Sequence, residues 1–537
     1  MTNNIRTATA PELAYFRTAG QFTQLNLIAH NPGTVYTALL NGLPTRKGVE
    51  TNDLVRQITY DTGSGTLANV LVDMTMQVKN AAGTSILGFV RIRATPSATV
   101  FYIGEESHIT WEEDAQLTVL NDFALWQKHI KASDKITLVD ATVAYTNQHT
   151  NYDPVPNMGG DKVLELTGAT VSCQFSGADA WVFDSTITAY AWSCATASGT
   201  ANLTTATPTF TFNATGDHRI TALFTAANGN TATGYRWVYV RNTVAPATTK
   251  FQITSSPRGR LTDGGWSFEI KMFDEALLTE IRDRTKIILY GKEYYGATNT
   301  SIGYLAGSEN IIATGWIAEE SIVYDYERST VTFRVYTAQH FLKKMSMFPV
   351  IIDNKKGAST AWNNMRQLTV DKAFYHVLRW RTTAMRCMDI YKSGDTRKAV
   401  RLESGATNIW SQLTDICFNS IMANVACNRY NQLFMFVDAQ IAPVADRASI
   451  PVVMTITAAD WQGQVQIDRM ELTEVSMLLL AGQKVQTDGR VSNIYSMANG
   501  HLFKTYGLPE TIKNVLVTNQ ATSNTLAGML IGWRDNE

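Results

Sequence analysis

Eight histidines, five cysteines and several acidic doublets are the residues of this 537-residue chain whose types could carry chemistry. The histidines, His30, His108, His129, His149, His218, His340, His376 and His501, are scattered. None lies four residues from another or beside a cysteine, so a zinc site would have to be assembled entirely by the fold. Glu105-Glu106, Glu112-Glu113 and Glu319-Glu320 could supply the carboxylate pair of a glycosidase. Neighbours on a strand face opposite ways, however, and charged doublets also serve to keep strand edges from pairing, so no catalytic acid is assigned. The phosphate-binding GxxxxGK loop, HExxH, paired CxxC, the GxSxG elbow and a helix-opening GxGxxG are all missing. On this reading the protein is not an enzyme and takes no cofactor and no metal.

Four further groups have a chemical and a structural reading. His376, four residues before Trp380, could be a base on an aromatic platform, but Phe374, Val377 and Leu378 around it make it a core-edge residue. Arg379, Arg381, Arg386, Lys392 and Arg397 could meet phosphates, yet Asp389 and Asp395 interrupt them, and a solvated or interface face fits better. Asp153, Asn157 and Asp161 could hold calcium, but their spacing matches no standard loop and ordinary turn chemistry explains them. Cys173 and Cys194 share the inward parity of Val171, Phe175 and Trp192, so they form either a disulfide or a buried thiol pair.

Composition narrows the partners. Lys and Arg number 46 against 47 Asp and Glu, a net charge of −1, and charged residues are only 17% of the chain. No whole-molecule field draws in nucleic acid or acidic lipid. The longest apolar run, near Met477 to Ala481, is too short to span a bilayer, and Met1 to Ala10 lacks the pattern of an export signal. Five sparse cysteines suit a reducing compartment.

The elements that must position these residues read as mainly β and multidomain. Val70, Val72, Met74, Met76 and Val78 share a parity, Asn80 to Gly83 turns, and Ile86, Gly88, Val90 and Ile92 return, which is a long hairpin inside an N-terminal β-rich domain over residues 1–146. A short helix is expected over Asn121 to Ile130. Residues 147–161, rich in Pro, Gly and Asn, read as a linker. Seven short strands with Ser, Gly, Asn and Thr turns make 162–246 an immunoglobulin-type sandwich. Alternation at Trp266, Phe268, Ile270 and Met272 opens a β-barrel domain over 247–345. An α+β domain follows over 346–537, with helices after Thr369 and Thr407 as N-caps and strands at Leu433 to Val437 and Val475 to Leu480.

Within the sandwich, Ile187-Thr188-Ala189-Tyr190-Ala191-Trp192, the stretch Thr215 to Thr221 and the turn Asn228-Gly229-Asn230 resemble a PKD-type immunoglobulin-like domain, with Tyr190 and Trp192 as its core. Ser193 to Thr196 depart from that family's usual Gly-Asp-Gly. The stretch from Arg258 to Val437 resembles phage tail hub or baseplate hub proteins, carried by Gly259 to Trp266, Lys286 to Tyr295, Gly315-Trp316-Ile317, Val331 to Val335 and Asn408 to Val437. That resemblance implies a tail-tube-like barrel, assembly in the host cytoplasm as a trimeric ring with other tail proteins, and a place in the virion. An adhesive alternative, contact with host-surface glycan, is suggested by the PKD-like module if Trp181 and Tyr235 are exposed.

Overall fold

Met76 and Val78 face Val90 and Gly88 across the expected hairpin, and the turn closes where Gly83 adopts φ +70° and Asn80 Oδ1 accepts the N–H groups of Thr84 and Ser85 at 2.8 and 3.0 Å. In this computed structural model the described residues lie within 25–120, 152–242, 251–346, 369–394, 408–437 and 477–528, with short stretches inside these left out. The expected helix at Asn121 to Ile130 falls outside them.

The hairpin belongs to a seven-stranded sheet whose end strand Thr34–Leu40 pairs with Gln116–Leu120 along its length and again, at Leu39 and Leu40, with Asp53–Asp61. Its inward residues, among them Ile58, Met76, Val78, Ile92, Phe101 and Leu117, form a core of their own.

Among the described residues, seven strands fold between residues 162 and 242. Five make one sheet, in the order Asn202–Leu203, Ile187–Ser193, Gly216–Ala226, Thr231–Asn242 and Lys162–Leu166, and Val171–Gln174 pairs with Thr209–Phe212 in the other. Alternation places Trp192, Phe210, Phe212, Phe224 and Val240 between the sheets, with Tyr190 half-buried against Phe224 at 5.6 Å.

The next sheet differs from the expected barrel. Its main path runs Leu25–His30, Lys286–Gly291, Ile311–Ile317, Thr330–Tyr336, Ser267–Met272 and Phe251–Arg258, with Val323–Asp325 added on Thr330–Tyr336, and among the described strands it stays open. Its first strand comes from the N-terminal region, with Leu25 opposite Gly291 and His30 opposite Lys286. The N-terminal segment therefore divides between two sheets, because an apolar strand such as LNLIAH carries no local signal of which edge it will join.

Helix α1 (Ala338–Lys344) follows that sheet, and α2 (Val370–Arg381), α3 (Ala384–Cys387) and α4 (Ile409–Ile421) come after it. The α2 cap is Thr369, whose side chain accepts the Lys372 N–H at 3.3 Å. The α4 cap is Asn408, one residue later than the Thr407 expected, because its Oδ1 reaches the Ser411 N–H at 2.8 Å. Strands Ala423–Cys427 and Leu433–Val437 pair as a hairpin, and Met477–Val485 lies between Val491–Asn499 and Pro509–Leu516. One apolar cluster runs through Ile28, Val155, Trp181, Trp237, Trp316, Phe374, Leu413 and Leu433, joining four of these regions.

Candidate functional site

The described part of the segment expected as a linker, residues 152–161 (the strap), is buried between the sandwich and the helical region. Tyr152, Val155, Asn157, Met158 and Asp161 are all buried. Pro, Gly and Asn do mark irregular backbone, but irregular backbone can be buried when side chains satisfy its polar groups. Here they do. Val155 pairs with Trp181 through backbone hydrogen bonds of 2.8 and 3.3 Å. Asn157 binds Ile390 both ways, accepting its N–H at 2.9 Å and donating to its carbonyl at 3.0 Å. The Trp181 indole N–H also donates to the Ile390 carbonyl, at 2.8 Å.

Asp389, read in the sequence as an interruption of a basic run, is the acceptor on which this segment hangs. Its Oδ1 takes the Met158 N–H at 2.7 Å, and its Oδ2 takes the Gly159 N–H at 3.0 Å and the Gln432 amide at 2.9 Å. Arg236 of the sandwich completes the set as an ion pair, and also donates to the Tyr235 and Arg386 carbonyls at 2.7 and 3.1 Å. Burial pushes the Asp389 carboxyl up, but Arg236 and the Met158 N–H outweigh it and hold the group below its ordinary range.

Two further pairs extend the junction. Asp161 accepts the Trp237 N–H at 2.9 Å and pairs with Lys286 of the open sheet. His30 packs against the stacked rings of Trp237 and Tyr239, with centroids at 4.5 and 5.2 Å, and its Nδ1 meets Asp217, which also binds Arg241 at 2.8 Å. Burial lowers the His30 pKa, outweighing the raising effect of Asp217, while burial raises Asp217 less than His30 and Arg241 lower it, leaving it at about 2. The His30 Nδ1 and the Asp217 carboxylate form a hydrogen-bonded pair across the two sheets.

Beside the strap lies a cleft of about 290 Å³. Asp153 is among its lining residues, held by an ion pair to Arg379, the Asn230 amide at 3.0 Å and the Tyr375 hydroxyl, which accepts the Asp153 N–H at 3.1 Å. These carboxylates bind the chain to itself.

The other sequence candidates are dispersed. Asp153, Asn157 and Asp161 point to three different partners, so the calcium reading fails by geometry. Among the described residues, no group of three His, Cys, Asp or Glu side chains could hold a metal. His376 is half-buried, 5.6 Å from the Tyr152 ring. Glu320 pairs with Lys344 on the surface, and Glu112 accepts the Ala81 N–H at 3.2 Å. Cys173 and Cys194 are buried thiols in the sandwich core and are not bridged. Trp181 and Tyr235, expected to be exposed, are only 8% and 4% exposed, because the strap and α3 cover that face. Sequence reasoning did not name Arg236, and it read Asp389 as an interruption of a basic run and Asp161 as turn chemistry. The sole local signal was an isolated Asp amid cations.

The chain is similar to the tail protein from Neisseria meningitidis MC58, with 12% identity, 65% of this chain and 78% of that one covered, and a TM-score of 0.34. It is similar to the PKD domain from KIAA 1837 protein, with 20% identity, 18% and 92% covered, and a TM-score of 0.15. It is also similar to promiscuous carbohydrate-binding modules of the beta-sandwich superfamily, with 11% identity, 34% and 91% covered, and a TM-score of 0.15. No family model matches the chain, and no curated protein matches it. Likenesses at these TM-scores carry no argument about role.

Proposed function

We propose that the chain is a structural subunit of a bacteriophage tail tip, forming an oligomeric ring that joins the tail tube to receptor-binding parts. The observation that supports this reading is the junction: sandwich, open sheet and helical region share one apolar cluster and are pinned by Asp389, Asp161 and Asn157. Domains fused through buried polar groups move as one body, which suits a part that transmits load through its surfaces. The PKD-like sandwich would act as a spacer, and the partners would be further copies and other tail proteins, with no nucleic acid and no membrane insertion. Among the described residues no helix is long and apolar enough to cross a membrane. The adhesive alternative loses the two aromatics that motivated it, since both are buried.

Electron microscopy of the purified protein and of the lysate containing it tests the proposal. Rings, or density for this chain at a tail tip, are expected. A dispersed monomer at high concentration by mass photometry, with no tailed particle in the lysate, would overturn it.

A further inference from the structure

Among the described residues of the open sheet, Val323, Tyr324 and Tyr326 form the densest cluster of exposed apolar side chains, at 62%, 42% and 87% exposure. Strand Val323–Asp325 is three residues long and pairs with Thr330–Tyr336, putting Tyr324 opposite the buried Val331. Tyr324 thus lies at the rim of the sheet's core, and its hydroxyl donates to the Ile281 carbonyl at 2.9 Å, which fixes the ring. Tyr326 lies against it, the centroids 6.0 Å apart and the planes 19° from parallel. That separation is too wide for a face-to-face sandwich, so the rings are offset and the outer one keeps an open face. Ser321 braces the approach, donating to the Ala318 carbonyl at 2.6 Å and accepting the Arg334 N–H at 3.0 Å. The turn that follows carries Asp325 and Arg328, paired at 3.8 Å, with Arg328 exposed and Asp325 half-buried.

From this arrangement we infer that Tyr324 and Tyr326 form a binding platform for an extended carbohydrate chain. The π face of a tyrosine is electron-rich and attracts the polarised C–H groups on one side of a pyranose ring, and the carboxylate and guanidinium of the turn offer partners to sugar hydroxyls. The inner ring is fixed through its hydroxyl and the outer, near-parallel ring extends the same face outward, an arrangement that suits neighbouring sugars of one chain. Size separates this ligand from a second copy of the chain. Two tyrosines bury about 300–500 Å² at most, against the roughly 800 Å² per partner of a stable protein interface. The strand is also too short to template strand addition. The site lies far along the chain from the PKD-like sandwich, and it stands whether or not the protein is a tail-tip subunit.

The test is calorimetric titration of the full-length protein with the hexasaccharides of β-1,4-linked glucose and of β-1,4-linked N-acetylglucosamine, with mass photometry on the same samples. Saturable binding to at least one of them is expected, weakened at least tenfold in Tyr326→Ala and retained in Tyr326→Phe. Failure of both sugars to bind, or equal binding by Tyr326→Ala, overturns the platform. A change of oligomeric state in Tyr326→Ala without sugar binding would make the patch a subunit contact and overturn it too. Ring formation by the wild type reports separately on the tail-tip proposal.

Discussion

Asp389 and Arg236, 153 positions apart in the chain, form an ion pair in which both side chains are almost wholly shielded from water. Each member holds a different region: Arg236 belongs to the sandwich, and Asp389 carries the strap and Gln432. Removing one member strands the other charge. Asp389→Ala should therefore cost about 3–5 kcal/mol, read by urea denaturation. The double substitution Arg236→Met with Asp389→Leu should cost less than Asp389→Ala, though it stays destabilising because the Met158 and Gly159 N–H groups still lose their acceptor. A double variant worse than the sum of its single variants would reject this account.

Stability should fall with acidity in two stages. His30 is lowered from its ordinary 6.5 in the folded state, so the unfolded chain takes up a proton first, and stability present above pH 6.5 is lost as pH falls below it. Asp217, lowered from 3.8 to about 2, adds a second loss between those values. Urea midpoints measured at pH 8 and pH 5 should drop for the wild type and drop less for His30→Phe. A residual slope is expected from His218 and His340, both also lowered by burial. Equal slopes in the two proteins would show that His30 does not titrate as described.

Gly234 tests how tightly the strap is seated. A Cβ there would stand 2.7 Å from Pro156 Cβ and 2.9 Å from Met158 Sδ. Gly234→Ala should push residues 152–161 off the sandwich, destabilise by about 1–3 kcal/mol and create a new site of limited proteolysis within the strap. An unchanged digestion pattern would mean that the strap gives way without cost.

The sandwich cysteines should resist modification. Burial raises the Cys173 thiol to about 12, and Cys194 is buried beside it in the same core. Neither should react with a thiol reagent in the native protein at pH 8, both should react in denaturant, and dithiothreitol should leave the melting temperature unchanged. A melting point lowered by reductant would reveal a bridge.

How much of this was legible follows from the range of each interaction. The Met76 and Val90 hairpin, the inward parity of Cys173 and Trp192, and the Thr369 cap are local, and period or spacing reveals them. The strap was misread because Pro154, Pro156 and Gly159 describe backbone shape while burial depends on Asp389, some 230 residues away. Trp181 and Tyr235 were misjudged for the same reason, since what covers them is distant in the chain. Edge choice is equally silent, and nothing in Leu25 to His30 names Lys286 to Gly291 as its partner.

That last pairing sets a clock on synthesis. Leu25–His30 leaves the ribosome early, but its partner strand follows only after more than 250 further residues. At cellular elongation rates the first strand waits roughly 10–50 s with its backbone edge open. The N-terminal sheet and the sandwich, whose ladders are built from nearby segments, can close during that wait. The open sheet must then recruit its first strand from behind two finished modules, which leaves that edge exposed to aggregation and makes the step dependent on the order in which the chain emerges.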